Sequence, residues 1–197
     1  MRTSLPQFVL GYHGCDFSLV QQLLKADTEL KFSENSYDWL GHGIYFWENA
    51  PYRAFEWAEE AAKNPKKVNG NISTPAVIGA VIDLGNCFDL SDTKHIDVVR
   101  EAYNGVVALC KKSGEELPKN TAYCRDLDCK VINMAVELNE RLGYLPFDSV
   151  RSPFFEGDKL YSGAYFQDKT HIQICIRKSE CIKGYFLPKD FLKKLTG

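Results

Sequence analysis

Two short segments, at 11–14 and 40–47, carry residue types that can grip a polar ligand. The first is Gly11-Tyr12-His13-Gly14, directly after the apolar run Phe8-Val9-Leu10. The second is Leu40-Gly41-His42-Gly43-Ile44-Tyr45-Phe46-Trp47. Each sets a histidine or a tyrosine at the mouth of a β-prone run, between glycines that leave the backbone open to close approach. A neutral imidazole at His13 can hydrogen-bond a ribose hydroxyl, and Gly14 can offer backbone N–H and C=O to a carboxamide. If 43–47 is a strand, Tyr45 and Trp47 share one face and offer rings to a flat ligand, while Phe46 turns to the core. Trp57, one helical turn past Arg53-Ala54, is either a second wall or a buried helix anchor. The pair Gly41 and Gly43 is weak by itself, and no fuller G-x-G-x-x-G fingerprint stands in the chain. The pattern implies a pocket for a planar ring carried on a sugar.

The elements that must position these residues follow from periodicity. Phe8–Tyr12 reads as a strand, and 16–25 reads as an amphipathic helix with Phe17, Val20, Leu23 and Leu24 at helical spacing and Asp16 or Ser18 as N-cap. Gly43–Trp47 is a short strand. Pro51 opens an Ala- and Glu-rich helix through Lys63. Ala76–Leu84 is an almost unbroken apolar run, the mark of a central buried strand. Ser91 or Asp92 caps a helix over 95–111, and a further helix over 131–142 ends at Gly143. The last third turns β-rich, at 148–150, 164–166, 171–177 and 183–187, with Ile172, Ile174 and Ile176 in strict alternation. Strands from both ends with helices between them predict an α+β class in one domain over 1–197, with 91–143 as a helical insertion.

With these motifs in place, the sequence resembles the ADP-ribosyltransferases of the diphtheria-toxin and poly(ADP-ribose)-polymerase type, which carry a His-Tyr-Glu triad on a split, strongly bent β-core. Tyr12-His13-Gly14 is similar to the family's His-Gly after a strand. Gly41-His42-Gly43-Ile44-Tyr45-Phe46 is similar to its Gly-x-Gly-Ile-Tyr-Phe run, Arg53-Ala54-Phe55-Glu56-Trp57 to the helix that follows, and Asp148-Ser149-Val150 to a later run. The likeness is specific over 8–60 and weaker over 145–188. It implies that NAD is the co-substrate, held by His13, Gly14, Gly43, Tyr45, Arg53 and Trp57. It further implies a mono-transferase, of the kind found among small bacterial toxins and defence enzymes.

The chain departs from that pattern where it matters most. The third family motif is a strand that begins with glutamate, and the matching residue in His171-Ile172-Gln173-Ile174-Cys175-Ile176 is Gln173. Glutamine can orient a ribose but cannot carry the charge that stabilises an oxocarbenium-like transition state. Three readings stand: Gln173 suffices for transfer by positioning, Glu156 in the preceding loop replaces the missing carboxylate, or the protein binds NAD without chemistry. A hydrolase that transfers to water is a further alternative. The loop over 154–169 is dense in aromatics (Phe154, Phe155, Tyr161, Tyr165, Phe166), and in the family this loop faces the acceptor. His171 shares the face of Gln173 by alternation and is a candidate base. Arg151 is a candidate partner for a pyrophosphate or an acceptor carboxylate.

Composition bounds the rest. The chain has 197 residues, 45% hydrophobic and 25% charged, with a net charge of −2, which speaks against bulk binding to a nucleic-acid backbone. The seven cysteines include no C-x-x-C pair and no zinc-ligand spacing, so free buried thiols in a reducing cytoplasm are expected. No run reaches the ~18 apolar residues of a membrane span, and no apolar leader opens the sequence. A protein or nucleic-acid acceptor fits the resemblance, and the sequence selects neither.

Overall fold

The computed structural model describes residues 8–65, 71–121 and 124–191. Among the described residues, seven strands form one mixed sheet: β1 (Phe8–Asp16), β2 (Ile44–Glu48), β3 (Pro75–Asp83), β4 (Cys87–Asp89), β5 (Ser149–Phe154), β6 (His171–Ile176) and β7 (Ile182–Phe186). Their spatial order is β4-β5-β6-β2-β1-β3-β7. The β4–β5 pair is parallel, and the other neighbours are antiparallel. The helices are α1 (Phe17–Leu24), α2 (Pro51–Lys63), α3 (Thr93–Ser113) and α4 (Asp126–Arg141). This is a mixed α+β arrangement.

Local chemistry sets the boundaries. Asp16 ends β1 and caps α1: one carboxylate oxygen accepts from the Ser18 amide at 2.9 Å, the other from the Ser73 and Thr74 amides at 2.8 and 2.9 Å. Burial alone would raise this carboxyl, but the bonds from Ser18, Thr74 and Ser73 outweigh it and hold it well below the usual range. Pro51 sits at the first turn of α2, where its missing N–H leaves nothing unsatisfied. Asp92 caps α3, and Gly114 closes it in the left-handed region at φ 74°.

The structure corrects two expectations and adds one strand. Residues 164–166 form no strand: the segment turns at Gly163 (φ 81°), and Tyr165 and Phe166 stand in solvent without a partner strand. Residues 87–89, unmarked by any alternation, become the short edge strand β4 because β5 offers them a parallel partner. The helix expected over 131–142 begins at Asp126, since a polar first turn hides a start from an apolar count.

The sheet has two differently covered faces. One face holds Ile44, Phe46, Ile78, Ile174 and Ile176 and packs on Val20 and Leu23 of α1. The other face is covered at two ends. Tyr12, Trp47 and Val77 pack on Ala54 of α2, while Val150 and Cys175 pack with Ala102, Val106, Ile132 and Ala135 of α3 and α4. Between these two layers runs the row Trp47, Gln173, Ser152, which the registers of β2, β6 and β5 place side by side.

The sheet is tied weakly in its middle. β1 and β3 pair over nine positions, from Phe8↔Asp83 to Asp16↔Pro75. β1 and β2 pair at only two, Gly11↔Glu48 and Tyr12↔Trp47, and then part. Residues 13–16 therefore have no β2 partner strand beside them.

Candidate functional site

His13 sits where β1 and β2 part. Its Nδ1 is 2.8 Å from the carbonyl oxygen of Tyr45. A carbonyl only accepts, so Nδ1 carries the proton and Nε2 is left as an acceptor. Burial lowers the imidazole's pKa and outweighs the opposing bond to Tyr45, so the ring is neutral. The two glycine-flanked segments are thus joined by one hydrogen bond across the gap in the sheet.

His13 and Gly14 face opposite sides of β1. The imidazole packs edge-on against Phe46, while a side chain at Gly14 would run into the Ala54 carbonyl of α2 at 2.1 Å. The glycines expected to admit a ligand instead admit neighbouring backbone. Gly43 behaves alike: a Cβ there would meet Cys175 Sγ and the Ile176 carbonyl at 2.5 Å.

Tyr45 has a different role from the free platform expected. Its hydroxyl donates to the Gly41 carbonyl at 2.7 Å and accepts from the Leu40 amide at 3.0 Å. Its ring packs with Leu40 and Cys175 under α3 and α4, and burial first of all drives the phenol's pKa far upward. Tyr45 props the 40–41 turn. Trp57 meets Trp47, at 5.7 Å between ring centroids.

A continuous aromatic wall lines the row Trp47, Gln173, Ser152, in which Trp47 and Ser152 are buried and Gln173 is half-buried. Trp39 lies 4.3 Å from Phe154, Phe154 5.4 Å from His171, His171 6.1 Å from Trp47, and Trp47 next to Trp57. Arg125 places its guanidinium 5.6 Å over the Phe154 ring. Within this wall Gln173 accepts a hydrogen bond from Trp39 Nε1–H at 2.5 Å. Indole N–H only donates, so the Gln173 oxygen faces Trp39 and its NH₂ is left for a second partner.

Charge gathers at the α2 end of the wall. Arg53, buried, pairs through Nη2 with Glu156 at 2.8 Å, and Glu156 is also 3.9 Å from Nδ1 of His171. The structure therefore brings Arg53, Glu156, Trp57 and Gln173 to one face, and sets the His13 ring on the opposite face beside Phe46. It puts Arg151 on the other, where Glu48 binds it through two nitrogens (2.6 and 3.1 Å) and Asp89 through a third (2.9 Å). Arg151 is a strut between β2, β4 and β5, with no donor fork left for a pyrophosphate. The Cys175 thiol, beneath Tyr45, is pushed up to about 12 by burial, so it packs and does not react. Among the described residues no group of three or more His, Cys, Asp or Glu is arranged to hold a metal ion, and no helix is long and apolar enough to cross a membrane.

Two members of the site escape the sequence. Trp39 lies in a polar loop, and a lone tryptophan in such a loop is the signal that marks it. Arg125 precedes α4 with no pattern around it. Two cavities, of about 340 and about 400 Å³, lie away from this site. One is beside Leu30, Ser179 and Tyr185, the other between α3, α4 and His42. The second is lined by His42, Asp126, Cys129, Lys130 and Glu137, and neither includes a residue of the aromatic wall.

Among known proteins, the chain is similar to an uncharacterised protein of Methanocaldococcus jannaschii. The two are 28% identical over 193 residues, covering 87% of this chain and 83% of that protein. No family model matches the chain, and no solved structure matches it.

Proposed function

We propose that this chain is an NAD-dependent mono-ADP-ribosyltransferase. The observation that carries the reading is the parting of β1 from β2 after two pairs, bridged by His13 Nδ1–H on the Tyr45 carbonyl. A sheet opened at its centre suits a split β-core, and His13 and Gly14 stand at that opening. His13, whose ring lies on the Phe46 side of the sheet, holds the Tyr45 carbonyl at the edge of that opening, and its Nε2 accepts from a ribose hydroxyl that enters the gap. The nicotinamide ring lies against the wall of Trp39, Trp47 and Trp57, and the Gln173 NH₂ orients the nicotinamide ribose. Breaking the glycosidic bond leaves positive charge on the sugar, and Glu156 is the carboxylate of this face that can offset it.

Gln173 in place of an acid favours a second reading, a module that binds NAD without cleaving it. NAD labelled in its adenylate half separates the outcomes. Released nicotinamide with label on a macromolecule is the expected result. Label found only in free ADP-ribose makes the protein a hydrolase, and bound NAD without release makes it a silent module. No NAD binding at all removes the pocket. His13→Ala is the matched control, expected to bind NAD more weakly by about one hydrogen bond, on the order of 1 kcal/mol.

A further inference from the structure

His171, the first residue of β6, is held in an unusual way. Its Nδ1 lies 2.6 Å from the Lys169 carbonyl, so that nitrogen carries the proton. Its Nε2 is buried and has no hydrogen-bond partner. A histidine kept for packing has both nitrogens satisfied or turns the free one to water; with its side chain 1% exposed, His171 does neither. Trp47 Nε1 in the adjoining ring, and Nε and Nη1 of Arg53, also lack hydrogen bonds. The site is thus a buried lone pair among unsatisfied donors, two residues along the same strand face from Gln173.

We propose that His171 is the general base of this site, a role that rests on the NAD-cleaving reading above. Its imidazole has the parts a base needs: a backbone carbonyl that fixes the tautomer and ring orientation, a free lone pair, and a carboxylate, Glu156, close enough to stabilise the imidazolium. In the step, an oxygen of water or of an acceptor hydroxyl attacks C1′ of the nicotinamide ribose. The C1′–N bond breaks and its electron pair neutralises the pyridinium of the departing nicotinamide. A C1′–O bond forms, and the proton passes from that oxygen to Nε2 of His171. The charged groups that face His171 are Arg53 from α2 and Glu156 and Lys169 from the 155–170 loop; Gln173 on β6 and the Trp47 and Phe154 rings are neutral. Burial is the largest influence and Arg53 adds to it, so the resting ring is neutral. Arg53 also holds Glu156 in place, 2.8 Å from its Nη2. His171 lies under the 155–170 loop, which is pinned to α2 at both ends by Arg53–Glu156 and by Lys169–Glu60 at 2.7 Å. Water is the smallest acceptor, so hydrolysis of NAD is the direct probe.

The test measures nicotinamide release from NAD, with water as acceptor, between about pH 5 and 8, where histidine titrates. Wild type, His171→Gln, and His171→Ala with and without added imidazole are compared, with NAD affinity measured for each. The wild-type rate is expected to fall on the acid side along a one-proton limb. His171→Gln is expected to lose about a hundredfold or more in rate, to lose that limb, and to hold NAD within about twofold, since glutamine keeps a planar polar group in the wall between Phe154 and Trp47 and removes only the base. Imidazole is expected to restore part of the His171→Ala rate. Histidine ¹⁵N spectra of the unliganded wild type, assigned against His171→Gln, are expected to show a neutral Nδ1–H tautomer. A proton resident on Nε2 overturns the proposal whatever happens with NAD, and so does a folded His171→Gln with wild-type rate and limb, which leaves the NAD reading intact. A wild type that binds no NAD, or binds it and releases nothing, overturns both.

Discussion

Gln173 is legible in the sequence as a residue and illegible as an environment. Alternation puts it on the inner row of β6, but nothing in the chain announces that Trp39, 134 positions earlier, donates to its oxygen. That bond decides how the site responds to substitution. A carboxylate at 173 would keep an acceptor for Trp39 Nε1–H and add the charge that favours a cationic ribose. Gln173→Glu is therefore expected to keep or raise nicotinamide release. Gln173→Ala, which removes about one orienting hydrogen bond, is expected to lower it roughly tenfold. Glu156→Gln is expected to lose more than Gln173→Ala, because Glu156 serves both Arg53 and His171. Steady-state release by the three folded variants checks the order, and a Gln173→Glu variant slower than Gln173→Ala would sink it. The same limit explains Tyr45. Its spacing after two glycines marks it, but the two hydrogen bonds that turn its hydroxyl inward come from the loop it follows.

Elements were the most readable level. The helix opened by Pro51 runs to Lys63 as the pattern gives it, and Asp16 caps α1 because a short acceptor before an amphipathic run has few other uses. What periodicity cannot carry is pairing. β4 exists because β5 is beside it, and 164–166 fails as a strand because nothing is. Asp16 shows how one side chain ties elements together, since its second oxygen holds the 73–74 turn at the entrance to β3. Its carboxyl is depressed in the folded chain, so between the folded and unfolded values the unfolded state binds the extra proton and stability rises with pH. The contribution is complete above about pH 4, the unfolded value, and is lost as pH falls toward the lower folded one. Asp16→Ala is expected to cost about 1–2 kcal/mol at neutral pH, the scale of a lost cap, and to flatten the acid side of a urea-midpoint curve. A curve for Asp16→Ala that stays parallel to wild type down to pH 3 would count against this linkage.

At the scale of the whole molecule, the site lies where the covering layers stop. α2 shields one end of the sheet face and α3 with α4 the other, and the row Trp47, Gln173, Ser152 is left between them. The helices over 91–143, read from the sequence as an insertion, form one bank of that gap. Neither the gap nor the parting of β1 and β2 could be counted from residues, because both depend on which strands end up adjacent. The edges of the sheet have a consequence of another kind. β4 is three residues long, and β7 pairs with β3 through a register shift at Val81/Ile82. Short or irregular edges are poor templates for a second copy's strands. A sticky part of this protein is then the 155–170 loop, where Tyr165 is 95% exposed and Phe155 and Phe166 each 68%; Leu142 and Leu145, 71% and 72% exposed, are a second. Light scattering of concentrated samples is expected to set in at higher concentration for Tyr165→Ser/Phe166→Ser than for wild type. No change would shift the blame to the strand edges or to Leu142, Tyr144 and Leu145. The loop through which an acceptor would enter is then also expected to limit the protein's shelf life in a crowded solution.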